Sequence, residues 1–155
     1  NFDLTIKPSP NLPNARAINL YPSLCLFEGT NISVGRGTDY PFQQFGAPYL
    51  KRNYSFMPKS GEGSKYPKHE NTVCFGTDLR FQDNYLTSIN LNWIIETYKQ
   101  CPEKEAFFNN FFDKLAGTDR LKKQIIAGKA AKEIKASWQE GLDKFKKVRK
   151  KYLIY

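Results

Sequence analysis

Residues 25–38 read CLFEGTNISVGRGT and set one carboxylate, Glu28, and one arginine, Arg36, among small polar residues and three glycines, Gly29, Gly35 and Gly37. Glycine suits backbone that takes positive φ or admits another group closely, and a connecting loop rarely needs three within nine positions. The stretch therefore reads as a site. Immediately upstream, YPSLCLFEG fits a short helix with Pro22 near its first turn and Gly29 as its stop. That placement leaves Glu28 at the helix C-terminus, where the macrodipole disfavours a carboxylate by roughly a few tenths of a kcal/mol unless a cation or donor offsets it.

Farther out on the N-terminal side, PSPNLPN (residues 8–14) is an extended, turn-making entry, because each proline fixes φ and pushes its predecessor out of the helical region. On the C-terminal side, PFQQFGAPY reads as turns. NYSFMP and TVCFGTDLRFQ then read as two strands, and KSGEGSKYPKHEN between them as an exposed loop. Beyond residue 86 the period changes. Leu91, Ile94, Ile95 and Tyr98 follow helical spacing, predicting a helix begun by Thr87 or Ser88 and ended before Pro102. Phe108, Phe111, Phe112 and Leu115 form the next stripe, closed by Gly117, and Thr118 is placed to cap DRLKKQIIAG. Ile134, Trp138, Leu142, Phe145 and Tyr152 then line one face of a long basic helix, and all these stripes are expected to be core. The fold class is α+β: a small sheet in an irregular Pro/Gly-rich N-terminal half, followed by a mainly helical C-terminal half.

With 155 residues, 40% of them hydrophobic, the chain is one domain long and able to bury a core. The formal charge of +9 fits an anionic partner, but 13 of the 24 basic residues fall between Lys114 and Lys151 on helical segments, where lysines ordinarily solvate an outer face. Cys25, Cys74 and Cys101 lie far apart, with His69 the one histidine, so neither a zinc site nor a Cys-His pair is spelled out. They read as buried thiols, with one disulfide open to an exported chain. No apolar run reaches the length of a membrane span, and GxGxxG, P-loop, GxSxG and HExxH signatures are absent. No metal or cofactor is expected. VGRGT has some character of a phosphate nest but lacks the Lys-Ser/Thr and the following helix.

Taken together, PSPNLPN, LYPSLCLFEGTNISVGRGTDYPFQQFGAP, FFDKLAGTDRLKKQIIAG and FKKVRKKYLIY resemble the C-terminal part of the peptidoglycan exo-β-N-acetylmuramidases, in order and over nearly the whole chain. EGTN followed by GRGT is the most specific element. The resemblance implies a two-part enzyme: a Rossmann-like N-terminal domain, absent from this chain, and a smaller C-terminal domain, here residues 1–155, that closes one wall of the cleft. Residues 1–14 would then be the interdomain crossing. It further implies an exported bacterial protein, periplasmic or extracellular, that releases N-acetylmuramic acid from the non-reducing end of peptidoglycan fragments. The family's proposed catalytic glutamate belongs to the N-terminal domain, so this chain is expected to hold no catalytic residue and to be inactive alone. Its expected partners are a peptidoglycan-derived saccharide and the N-terminal domain, not nucleic acid.

On that implication the opening stretch acquires roles. Muramic acid carries a lactyl carboxylate, which the planar guanidinium of Arg36 is suited to bind through two parallel hydrogen bonds. Glu28 would accept from sugar hydroxyls or the acetamido N–H, while Asn31, Ser33 and Thr38 supply neutral donors and acceptors, and Phe42 or Tyr40 a ring for stacking. The alternative is that Glu28 and Arg36 pair with each other and brace the loop, or that Glu28 holds Arg36 for substrate. Asp39 and Asp78 are candidates for a second glycosidase acid or ordinary turn-capping residues. A stand-alone muramyl-binding module and a basic nucleic-acid binder are the competing functional classes.

Overall fold

The computed structural model describes residues 6–81 and 85–154. Residues 1–5 of the expected crossing segment, Gln82 at the end of the second expected strand, and Tyr155 lie outside them.

The first helix, α1 (Ala15–Leu24), begins earlier than its proline suggests. The Asn14 side chain accepts a hydrogen bond from the Ala17 amide at 2.9 Å and caps the first turn. Pro22 consequently sits near the end of α1 rather than at its start, and the chain tightens into a 3₁₀ turn over Cys25–Gly29. Gly29 is required there by close approach: a Cβ would lie 2.5 Å from the Phe112 backbone.

Three antiparallel strands follow: β1 (Gln44–Ala47), β2 (Tyr54–Phe56) and β3 (Cys74–Asp78), in the order β1-β3-β2. β1 corrects the reading of residues 41–49 as turns. Its glycine and flanking prolines resemble turn chemistry, but Gly46 pairs opposite Gly76 in β3, a register that lets the backbones meet without side chains between them. Ser33 also exchanges backbone hydrogen bonds with Gly46, at 2.8 and 2.9 Å, which pins the glycine loop to the sheet.

The helical half contains α2 (Asn92–Gln100), α3 (Phe112–Ala116), α4 (Arg120–Ile126), α5 (Ala131–Ala136) and α6 (Gln139–Arg149). α2 starts later than Thr87 or Ser88 predicts, and Gly117 ends α3 in the left-handed conformation as expected. Thr118 accepts from the Arg120 amide one residue ahead of the α4 cap, Asp119. Phe27, Phe42, Phe45, Phe107, Phe112 and Ile94 are among the fully buried side chains that join both halves in one core. Phe27 stacks on Phe45 at 5.1 Å, and Phe45 meets Trp93 at 5.7 Å.

Two expected core stripes are only partly core. Phe111 is exposed, and Phe107, one turn earlier, takes the buried place. The long basic helix is broken at Ser137 and Trp138, between α5 and α6, so the apolar stripe loses its register. Ile134 stays buried and Trp138 packs on the core, whereas Leu142, Phe145 and Tyr152 face outward.

Candidate functional site

The 3₁₀ turn carrying Glu28 is anchored by its neighbours. Phe27 is buried, the Thr30 hydroxyl donates to the Phe27 carbonyl at 2.9 Å, and the Asn31 amide donates to the Phe107 carbonyl at 2.9 Å. The loop then turns back over residues 35–38 with Gly35 and Gly37 at positive φ. Gly37 meets both requirements that favour glycine: φ is +78°, and a Cβ would stand 2.4 Å from the Lys59 carbonyl oxygen.

This path brings Arg36 back to Glu28. Nε and Nη2 of Arg36 donate to the same carboxylate oxygen, Oε1, at 3.1 and 2.7 Å. Both side chains are only partly covered, 34% and 24% exposed, so the pair sits at a surface cleft rather than in the core. Glu28 occupies the Nε/Nη2 edge of the guanidinium, and the Nη1/Nη2 edge remains directed away from that contact. The pairing half of the bracing alternative is therefore present, in a form that leaves Arg36 a second bidentate edge.

The third charged member was not legible from any local pattern. Lys68 belongs to residues 59–71, expected to be an exposed loop, yet Pro67 is buried and the segment folds down onto the EGTN turn. Lys68 Nζ donates to the carbonyls of Phe27, Thr30 and Ile32, at 3.2 Å to Phe27 and 3.0 Å to Ile32. Burial pushes its ammonium down to about 8, against the opposing pull of Glu28. Beside it His69 Nε2 lies 2.6 Å from the Asn31 carbonyl, which requires a proton on Nε2, and burial lowers the imidazole below its ordinary value. Nothing periodic marks Lys68, since three backbone acceptors from a distant turn leave no trace in a sequence pattern.

Glu28, Arg36, Tyr66 and Lys68, with Ser33 and Val34, line a cleft of about 400 Å³. Of the expected binding residues, Glu28, Arg36 and Ser33 meet there, and Ser33 is itself buried and accepts from the Gly35 amide. Asn31 faces inward: its Oδ1 accepts from the Tyr49 hydroxyl at 2.7 Å and its Nδ2 donates to Cys101 Sγ at 3.5 Å. Thr38 turns to the other side of the loop, where its hydroxyl donates to the Gly35 carbonyl and accepts from Gln44. Phe42 has no exposed surface and offers no face to a sugar. Its ring packs on Tyr21 and lies 5.0 Å beneath the Arg36 guanidinium, so it supports Arg36 instead of stacking on a ligand.

Of the other carboxylates, Asp78 is taken up by Arg80, whose Nε and Nη2 donate to it at 2.9 and 2.7 Å and hold it below the usual carboxylate range. Asp39 is exposed at the mouth of a second cleft. All three cysteines are free thiols, Cys74 and Cys101 buried and Cys25 half-buried, so no disulfide joins them. Among the described residues no three His, Cys, Asp or Glu side chains gather as a metal cluster, and no helix is long and apolar enough to cross a membrane.

A sequence model of the family described as exo-beta-N-acetylmuramidase NamZ, C-terminal, matches residues 19–155. The peptidoglycan beta-N-acetylmuramidase NamZ of Bacillus subtilis (strain 168) is 35% identical over 172 aligned residues, which take in 97% of this chain and 40% of that protein. A crystal structure of a DUF1343 family protein from Bacteroides fragilis NCTC 9343 superposes with a TM-score of 0.94 at 46% identity, over 99% of this chain and 45% of that one. A second DUF1343 family protein from the same organism shares the fold, with a TM-score of 0.71 at 17% identity over 97% of this chain and 45% of its own. The chain thus spans less than half the length of these relatives.

Proposed function

The chain belongs to the exo-β-N-acetylmuramidase NamZ C-terminal family, and from that we propose that it forms the substrate-reading wall of an enzyme that releases N-acetylmuramic acid from peptidoglycan fragments. In this reading cleavage falls to a separate N-terminal domain that carries the catalytic acid. The compartment that fits this substrate is the periplasm or the cell exterior.

One observation carries the proposal: Arg36, fixed by Glu28 through Nε and Nη2, is partly exposed and lines the cleft, with Nη1 outside that contact. A sugar whose distinguishing group is a carboxylate meets a planar cation already oriented by a neighbour, so little side-chain entropy remains to be lost on binding. Glu28 is then a positioning residue for Arg36 and an acceptor for a sugar hydroxyl. Lys68 keeps the turn beneath Glu28 in shape through its three carbonyl contacts.

The test is Arg36→Lys in the two-domain enzyme, with N-acetylmuramyl and N-acetylglucosaminyl substrates compared. An ammonium keeps the charge and loses the two-bond geometry. The expected loss is about 1.5–3 kcal/mol on the muramyl substrate, roughly ten- to a hundredfold in kcat/KM, with the glucosaminyl substrate nearly unaffected. Equal losses on both substrates, with a lowered Tm, would assign Arg36 to bracing alone.

A further inference from the structure

α6 and the 3₁₀ turn that follows it, Lys150–Tyr152, hold none of their side chains in the core. Leu142, Phe145, Val148 and Tyr152 run along them, from 44% exposed at Leu142 to 78% at Tyr152. At about 100° per residue, Gly141, Leu142, Phe145 and Val148 share one arc of roughly 120°, with Arg149 at one edge and Lys144 at the other. A helix of 11 residues does not persist in water by itself and takes its stability from packing an apolar face. The ion pairs of Lys144 with Glu140 and of Lys146 with Asp143 lie within α6 and are exposed, so they supply little of it. Gly141 adds a second observation. An interior glycine weakens a helix, and a Cβ at Gly141 would meet nothing within 4 Å, so no described neighbour requires it.

A glycine in the middle of an apolar arc suits close approach by a group from outside the domain. The DUF1343 family protein that superposes over 99% of this chain at a TM-score of 0.94 keeps the course of this helix, and more than half of its own length lies outside the superposed part. A helix that buries nothing in its own domain yet holds its course in a relative is held by something both proteins share, and the rest of the longer chain supplies it. We propose that α6 and the turn Lys150–Tyr152 dock against an apolar face on the N-terminal part of the longer protein, with Phe145 and Tyr152 as anchors and Gly141 at the point of closest approach. Carboxylates at the rim of that face would meet Lys144 and Arg149. The docking rests on the reading of this chain as one part of a longer protein, not on what Arg36 recognises.

The experiment compares hydrogen–deuterium exchange in the full-length protein and in the 155-residue chain. Amides 142–152 are expected to exchange at least roughly tenfold more slowly in the full-length protein. Gly141→Gln gives the sharper test because its two effects differ in sign. In the 155-residue chain the better helix former should leave Tm unchanged or raise it, whereas in the full-length protein the added side chain should lower Tm by about 2–5 °C and remove the protection of α6. Phe145→Ser, at an exposed position of this domain, should reproduce the full-length loss and leave the 155-residue chain unchanged. Equal exchange of these amides in both proteins, or an equal fall in Tm in both on Gly141→Gln, would overturn the docking. Protection in the full-length protein that appears only with phosphatidylglycerol vesicles, or only as protein concentration rises, would overturn it by assigning the face to lipid or to a second copy. None of these readouts involves turnover or Arg36, so their failure leaves the substrate reading standing, and failure of the Arg36→Lys test leaves the docking standing.

Discussion

Replacing Lys68 with Met removes the ammonium and keeps an unbranched side chain of similar length, isolating what the three carbonyl contacts contribute. Hydrogen bonds from a charged donor are worth about 1.5 kcal/mol each at the low end, so three of them amount to roughly 4–5 kcal/mol. Against this stands the cost of burying the charge. The fall of the ammonium from 10.5 to about 8 corresponds to roughly 3 kcal/mol, a cost the methionine does not incur. The difference leaves Lys68→Met destabilised by about 1–2 kcal/mol at pH 7, a Tm lower by roughly 2–8 °C for a domain of this size. The pH dependence has a definite sign. Because the folded-state value lies below the unfolded one, between about pH 8 and 10.5 the unfolded chain holds a proton that the folded chain has shed. Stability from this group is therefore lowest below pH 8 and rises through that window, so the gap between wild type and Lys68→Met widens from pH 7.5 to 10. Thermal melts by circular dichroism at both pH values measure it. An unchanged Tm at pH 7, or a gap that narrows as pH rises, would refute the account of Lys68 as a desolvated cation clamping the turn.

Three further outcomes follow from the same geometry. The 155-residue chain alone should release no product from a chromogenic N-acetylmuramide, and turnover there would make Glu28 and Asp39 the acids to replace first. Gly37→Ala should cost about 2–4 kcal/mol, since it forces a Cβ into the left-handed region and against the Lys59 carbonyl, and an unchanged Tm would contradict the loop path. Duplex DNA should bind more weakly than micromolar at about 0.15 M salt, because the basic residues of α6 are spread on an exposed helix with Lys144 and Lys146 paired to Glu140 and Asp143; submicromolar binding would restore the nucleic-acid reading.

Legibility in the sequence followed the range of the interactions. The α2 stripe Leu91, Ile94 and Ile95 was readable because a buried helix face leaves a local period. Gly117 was readable because a left-handed C-cap is a single-residue requirement. β1 was not, because its strand character comes from pairing with β3 some 30 residues later and from the facing Gly46 and Gly76, whose local signals are those of turns. The stripe through Leu142, Phe145 and Tyr152 kept a helical period yet left the core, because the helix is interrupted at Ser137 and Trp138 and α6 buries none of its residues. The EGTN and GRGT stretches stood out as a candidate site through glycine spacing and the isolated charges, whereas their partners Lys68 and Gln44 carry no such signal.

The placement of Glu28 shows why local and tertiary readings diverge here. At the end of a helix its carboxylate faces the negative pole of the backbone dipoles, and within the segment from Tyr21 to Gly29 no cation offsets that. The compensation arrives from two other places in the chain: the guanidinium of Arg36, which the positive-φ turns at Gly35 and Gly37 swing back to within 2.7 Å, and the ammonium of Lys68, which neutralises the carbonyl ends of the same turn. Each cation also depends on Glu28, Arg36 for its orientation and Lys68 for part of its charge stabilisation. The three therefore form a coupled set. Glu28→Gln should weaken the muramyl selectivity proposed for Arg36 and lower the Lys68 ammonium further, and the double variant with Arg36→Lys should lose less than the sum of the two single changes. Additive losses in kcat/KM on the muramyl substrate would mean that Glu28 contacts the sugar independently of Arg36.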